Sequence, residues 1–100
     1  MSFKKLDVSD DYLKILREIF KKYIPDRTVW AFGSRVKGLA RKTSDLDLCI
    51  LGETPLSFYQ LAELQDALSL SVIPYRVDVV DWMSITPEFR KIIEENYLVI

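Results

Sequence analysis

The sequence lacks histidine altogether and contains a single cysteine, Cys49, among its 100 residues. A disulfide framework, a zinc site built from Cys and His ligands, and catalysis by a histidine base are therefore excluded. Cys49 lies in an apolar run, which favours a small core residue over a nucleophile. A chain of this kind is expected in a reducing, cytoplasmic compartment.

Long apolar segments and an excess of one charge are also missing. No run approaches the roughly 18 apolar residues of a membrane span, and no apolar segment of the signal-peptide kind follows the N-terminal residues. The 14 Lys and Arg residues nearly balance the 15 Asp and Glu residues, for a net charge of −1. Proteins that coat nucleic acid normally carry a basic excess. We therefore expect neither membrane association nor direct nucleic-acid binding.

What remains is the composition of a small folded domain. Apolar residues make up 49% of the chain and charged residues 29%, as in globular proteins. The length fits one compact domain over residues 1–100. Little of the chain is left over for a second domain that would hold a substrate.

Hydrophobic periodicity and capping residues predict an α/β or α+β domain. A first helix is expected after an N-cap at Ser9 and should stop at Ile24, since Pro25 disfavours helical geometry in the residue before it. Two further helices are predicted at 57–70 and, from Pro87, to about 96. Strands are predicted at 28–32, 44–51 and 76–82, a closing strand at 97–100, and a basic connector with room for a short helix at 34–42. This order predicts a small mixed β-sheet with helices packed mainly on one face.

Two aspartates two residues apart, Asp45 and Asp47, mark the start of the second predicted strand. An Asp-x-Asp triplet is expected about once by chance in a chain with nine aspartates, so the motif alone is weak. On a strand, however, both side chains project to the same face. Two parallel carboxylates repel each other unless a cation lies between them, and oxygen ligands of this kind suit Mg²⁺ or Mn²⁺.

A Gly-Ser pair, Gly33-Ser34, lies at the end of the first predicted strand, and ten residues separate it from Asp45. Gly33 allows the backbone to turn or to approach a ligand closely. Ser34 supplies a hydroxyl and an N–H of the kind that binds phosphate oxygens. Gly38 adds a second point of close approach. Arg35 and other basic residues of the connector suit an anionic triphosphate.

The stretch GSRVKGLARKTSDLDLCIL, from Gly33 to Leu51, resembles the minimal nucleotidyltransferase (MNT) branch of the DNA polymerase beta-type nucleotidyltransferases. Such a family needs a third carboxylate on a neighbouring strand, and residues 76–82 offer Asp78 and Asp81. Alternation favours Asp78, because it points away from the apolar face formed by Val77 and Val79. Asp81 is predicted to be a turn or cap residue at the strand end.

The resemblance implies a nucleotidyltransferase that uses two Mg²⁺ ions, or Mn²⁺, and a nucleoside triphosphate, with ATP favoured. It assigns metal binding and catalysis to Asp45, Asp47 and Asp78. Nucleotide binding is assigned to Gly33, Ser34, Arg35, Gly38 and Ser44.

The resemblance also implies a partner. MNT proteins are commonly paired with a small all-helical HEPN protein, and the implied role is that of an antitoxin that transfers AMP to a tyrosine of a HEPN toxin. A second copy of the chain is another source of the surface that this short protein lacks. Two alternatives stay open: an enzyme for a small-molecule hydroxyl acceptor, and a non-catalytic module that blocks its partner sterically.

Overall fold

The structure, a computed structural model, describes residues 5–100. A four-stranded sheet has the order β3-β2-β1-β4, in which β1 is antiparallel to both β2 and β4 while β2 and β3 are parallel. The mixed sheet and its helices confirm the predicted fold class. In chain order the elements are α1 (Asp10–Tyr23), β1 (Val29–Phe32), α2 (Ser34–Lys37), β2 (Leu46–Ile50), α3 (Phe58–Ser69), β3 (Val77–Asp81), α4 (Pro87–Glu95) and β4 (Tyr97–Val99).

Local capping explains where the long helices begin. The Ser9 hydroxyl accepts a hydrogen bond from the Tyr12 N–H at 3.2 Å, and acidic residues fill the first turn of α1, where they complement the helix dipole. Ser57 and Gln60 form a reciprocal capping box at the start of α3, which satisfies two otherwise unpaired N–H groups. These contacts confirm the helix starts predicted from the sequence.

The strands are shorter than predicted. Asp45 and Arg76 precede β2 and β3 rather than lying in them. At the other end of β3, the Asp81 carboxylate caps a single 3₁₀ turn, Trp82–Ser84. That turn ends the extended conformation one residue earlier than the apolar pattern indicates.

One face of the sheet forms the main core together with α1 and α3. Strand alternation places every second residue on this face, and the register aligns Ala31 with Leu48 and Leu48 with Val79. Leu16 of α1 and Leu64 of α3 are fully buried against them. The helices therefore lie mainly on one face, as predicted.

The opposite face of the sheet is covered only in part. Phe89 of α4 contacts Phe32 edge on, with ring centroids 5.8 Å apart, and Ile93 of the same helix is fully buried. Cys49, which alternation places on this face, is also fully buried, so its prediction as a core residue is confirmed. The end of the face where β2 and β3 begin carries carboxylates instead of apolar side chains.

None of the helices in the described part of the chain combines the length and apolar character needed to cross a membrane.

Candidate active site

Asp47 and Asp78 lie side by side on the two parallel strands of the sheet. They are register partners in the β2–β3 pairing, and adjacent strands lie about 4.8 Å apart. Asp45 precedes β2 by one residue and shares the parity of Asp47. The fold therefore brings the three predicted carboxylates to one end of one sheet face.

Gly33 directly follows β1 and lies against the side chain of Asp47. Its φ of 81° and ψ of −158° lie in a region of backbone space that only glycine occupies readily. A Cβ atom added at Gly33 would collide with the carboxylate of Asp47. The backbone conformation therefore favours glycine at this position, and a larger residue would also displace the Asp47 carboxylate.

Ser34 begins α2 immediately after Gly33. The Gly33 carbonyl accepts hydrogen bonds from the N–H groups of Val36 and Lys37, at 3.1 and 3.2 Å. The N–H groups of the first helical residues have no partner within the helix, and such groups bind phosphate oxygens well. Gly38 ends α2 in the left-handed conformation, with φ of 74°, and open space surrounds it.

Arg35 makes structural contacts within the chain, and its direct contact with a nucleotide stays a prediction. It is only 4% exposed, and its guanidinium donates to four backbone carbonyls: those of Asp7, Arg41, Lys42 and Ser44. The guanidinium also stacks on the Tyr75 ring, 3.6 Å from its centroid. These contacts occupy most of its donors and hold the connector together, so Arg35 is a structural residue of the site.

Ser44 contributes to the same connector. Its hydroxyl accepts a hydrogen bond from the Arg41 N–H at 2.8 Å, and its carbonyl accepts from the Nε of Arg35 at 3.0 Å. Both groups therefore fix the chain directly before Asp45. A direct contact between Ser44 and the nucleotide stays a prediction.

The carboxylates repel one another. Burial and the charges of Asp78 and Asp45 raise the pKa of Asp47 above its usual value, and the opposing effect of Arg76 is smaller. Arg76 also forms an ion pair with Asp78 at 3.5 Å between largely exposed side chains, an arrangement that contributes little stability. The sequence interpretation missed Arg76, although its parity with Asp78 indicates that both side chains project to the same face.

The residues suit a divalent cation in their chemistry. Carboxylate oxygens are the ligands that Mg²⁺ and Mn²⁺ prefer. Burial is the main cause of the raised pKa of Asp47, and a cation would relieve the added repulsion from Asp78 and Asp45. Within residues 5–100, no three His, Cys, Asp or Glu side chains are gathered closely enough to hold a metal ion. Metal binding by the three carboxylates therefore stays a prediction.

Asp81 is confirmed as a cap residue outside the carboxylate group. It is 5% exposed, and its two carboxylate oxygens accept hydrogen bonds from the N–H groups of Leu56, at 2.7 Å, and Met83, at 3.0 Å. Its side chain shares the core face with Val77 and Val79, whereas Asp78 projects to the other face. Alternation thus separates the two aspartates as predicted.

Residues 13–100 match the nucleotidyltransferase domain family. The chain is a member of that family. Over 99 residues this nucleotidyltransferase is 50% identical to the probable protein adenylyltransferase MntA of Haemophilus influenzae, covering 99% of this chain and 87% of that protein. It is also 31% identical over 98 residues to a putative protein adenylyltransferase of Methanocaldococcus jannaschii, covering 97% and 99% of the two chains.

Solved structures show the same fold. A crystal structure of a toxin–antitoxin with AMP-PNP matches this nucleotidyltransferase with a TM-score of 0.74 and 23% identity, over 86% of this chain and 69% of that one. A toxin–antitoxin MntA–HpeT structure, solved as a mutant, matches with a TM-score of 0.73 and 21% identity, over 93% and 72%. At these identities the likeness establishes the fold.

Proposed function

We propose that this nucleotidyltransferase transfers AMP from ATP to a tyrosine hydroxyl of a partner toxin, a helical protein of the HEPN type, and thereby acts as its antitoxin. The observation that carries the proposal is the 50% identity, over 99% of the chain, to a probable protein adenylyltransferase. The likeness in fold to toxin–antitoxin structures, one of them with AMP-PNP, supports the same proposal.

The reaction joins the tyrosine to the α-phosphate. The phenolic oxygen of the acceptor attacks the α-phosphorus, a new O–P bond forms, and the bond between the α-phosphorus and the oxygen bridging to the β-phosphate breaks. Pyrophosphate leaves, and the phenolic proton passes to the Asp78 carboxylate and then to solvent. Positioning and charge neutralisation account for most of the rate in phosphoryl chemistry of this kind.

Each residue of the site has a defined part in this proposal. The N–H and hydroxyl of Ser34, following the sharp turn at Gly33, position the β- and γ-phosphates, with Gly38 as a second point of approach. Asp45, Asp47 and Asp78 would hold two Mg²⁺ ions, or Mn²⁺. When bound, such ions neutralise charge on the triphosphate and lower the pKa of an attacking hydroxyl.

The partner supplies the acceptor and covers the site. Asp45 is exposed and the Asp78 side chain is 44% exposed, so the carboxylate end of the sheet is open to a second protein. Phosphoryl transfer competes with hydrolysis unless water is excluded, which a docked partner would achieve. The proposal includes a cytoplasmic location, because a single free cysteine suits a reducing compartment.

The test uses ATP labelled at the α-phosphate, Mg²⁺ and a purified helical partner. Wild type and an Asp26→Asn control, changed at an exposed turn, are expected to label the partner protein at tyrosine, and Asp45→Asn is expected to lose that labelling. Label on a small molecule alone would assign the small-molecule acceptor. Neutralisation of the toxin by Asp45→Asn, without label, would assign the steric module.

A further inference from the structure

β3 is an outer strand of the sheet with one open side. The Arg76 carbonyl accepts a hydrogen bond from the Leu46 N–H, so alternation turns the backbone groups of Val77, Val79 and Asp81 away from β2. The Val77 carbonyl already accepts from the Gln65 side chain at 2.9 Å. No strand among residues 5–100 lies beside Val79 on that side, so its N–H and C=O are available to an added strand.

An apolar groove lies beside this open side, on the face of the sheet opposite Asp78. The groove has a volume of about 230 Å³ and is lined by Phe58, Leu61, Ala62, Gln65 and Val79. Phe58 and its neighbour Tyr59 are 82% and 77% exposed. Their exposure places both side chains outside the core. Exposed aromatic side chains in contact with each other commonly mark a protein-binding surface.

The surroundings of the groove are acidic. Between Lys42 and Arg76 the sequence has no Lys or Arg. Glu63 and Asp66 are exposed on α3, which contributes three side chains to the groove wall besides Gln65. A segment that docks here meets negative charge from α3, whereas the Asp78 carboxylate is already paired with Arg76. The exposed acidic side chains of α3 therefore favour a basic partner.

We propose that the outer edge of β3 and this groove bind an extended, basic segment of the acceptor protein, which pairs with β3 as an added strand. The inference rests on the proposed function and specifies how the acceptor is recognised. Main-chain hydrogen bonds to Val79 supply affinity, and side chains of alternating direction supply specificity.

Strand geometry fixes which acceptor residue reaches the site. A residue directly opposite Asp78 projects to the same face as Asp78, about 5 Å away between Cβ atoms. A tyrosine at that position therefore carries its hydroxyl to the carboxylate face. Its two neighbours project to the other face, into the groove between Phe58 and Val79. The recognised pattern is apolar–tyrosine–apolar with flanking basic residues.

A second copy of this chain is a poor occupant of the same edge. Pairing of β3 with another β3 would bring two acidic α3 surfaces together, and such like-charge contacts oppose association. The charge pattern therefore favours a different, basic chain over self-association.

The test measures binding of a fluorescently labelled peptide, Lys-Arg-Val-Tyr-Val-Lys-Arg, by anisotropy without ATP. A second peptide of equal composition, Val-Lys-Arg-Tyr-Lys-Arg-Val, has no apolar residue next to the tyrosine and tests whether the order of the residues matters. Phe58→Lys and Val79→Pro are expected to weaken binding of the first peptide about tenfold, a loss typical of an anchor residue or a main-chain contact. Alternation turns the Val79 N–H away from β2, so proline at this position removes no hydrogen bond within the sheet.

Matched controls sit elsewhere on the molecule. Leu70→Lys changes a side chain that is 86% exposed at the other end of α3, and Val99→Pro alters the opposite outer strand, β4. Both are expected to bind the peptide like wild type. Failure of wild type to bind, equal binding of the two peptides, or unchanged binding by both test variants would overturn the proposal. The proposal would also be overturned if wild type were a dimer and Val79→Pro a monomer, since a second copy would then occupy the edge of β3.

Labelling of the partner protein separates this inference from the proposed function. AMP transfer at the wild-type rate by both Phe58→Lys and Val79→Pro would overturn docking at β3 while the transferase function stands. Peptide binding with the expected variant pattern, but no transfer to any protein, would overturn the transferase function and uphold the docking surface.

Discussion

Replacement of Gly33 by alanine tests the link between backbone geometry and the carboxylate site. At φ of 81° and ψ of −158°, a residue with a Cβ atom incurs a strain of about 1–3 kcal/mol. The added methyl also collides with the Asp47 carboxylate, which must move. We therefore expect Gly33→Ala to lower the free energy of unfolding by at least this strain and to displace a proposed metal ligand.

The consequences are measurable in two assays. In a domain of this size, 1 kcal/mol corresponds to a shift in Tm of about 4–8 °C, so thermal unfolding followed by circular dichroism should resolve the change. A displacement of about 1 Å at a catalytic group can lower the rate roughly 100-fold. AMP transfer at saturating ATP should fall by about that factor, at temperatures where the variant is still folded.

Gly38→Ala provides the comparison for stability. Gly38 also has a positive φ, 74°, but no atom lies within 4 Å of an added Cβ, so only backbone strain of about 1–2 kcal/mol is expected. Gly33→Ala should therefore be the less stable of the two. The inferred close approach of Asp47 would be refuted if Gly33→Ala had the same Tm and the same rate of AMP transfer as wild type.

Three further predictions follow from buried groups. Arg35→Leu should lower the free energy of unfolding in urea by about 3–5 kcal/mol, because it leaves four carbonyl groups without their charged donor; an unchanged midpoint would contradict the structural role. Burial, Asp78 and Asp45 raise the pKa of Asp47, so the stability that protonation provides is complete at low pH and is lost as the pH rises through the raised pKa. In EDTA, Asp47→Asn should therefore be more stable than wild type at pH 7, with a difference that shrinks towards about pH 4; a more stable wild type at pH 7 would argue against carboxylate repulsion. Burial raises the pKa of the Cys49 thiol to about 12, so a thiol reagent at pH 8 should modify the folded protein at least about 100-fold more slowly than the urea-unfolded chain, and equal rates would show that the thiol is accessible.

Much of the fold could be predicted because its signals are local. Ser9 and Ser57 cap helices through contacts three residues away, and a buried strand face repeats every second residue. The exact strand ends could not be predicted, because they depend on distant partners. Asp81, for example, accepts a hydrogen bond from Leu56, 25 residues earlier, and this contact helps to hold the turn that follows β3.

The exposure of Phe58 and Tyr59 also could not be predicted from the sequence. An aromatic residue on an amphipathic helix is read as apolar whether it faces the core or an open groove. The direction it faces depends on how α3 packs against β3, which no local pattern encodes.

By itself, the sequence determined which carboxylates share a face of the sheet: strand alternation groups Asp78 with Asp47 and separates it from Asp81. The roles of these carboxylates in metal binding and catalysis stay predictions. Only the tertiary structure decided how these parts are held. The sequence could not show, for example, that four backbone carbonyls from separate parts of the chain surround the Arg35 guanidinium. A buried cation is stabilised by whatever acceptors the fold brings to it, and those acceptors become neighbours only once the chain has folded.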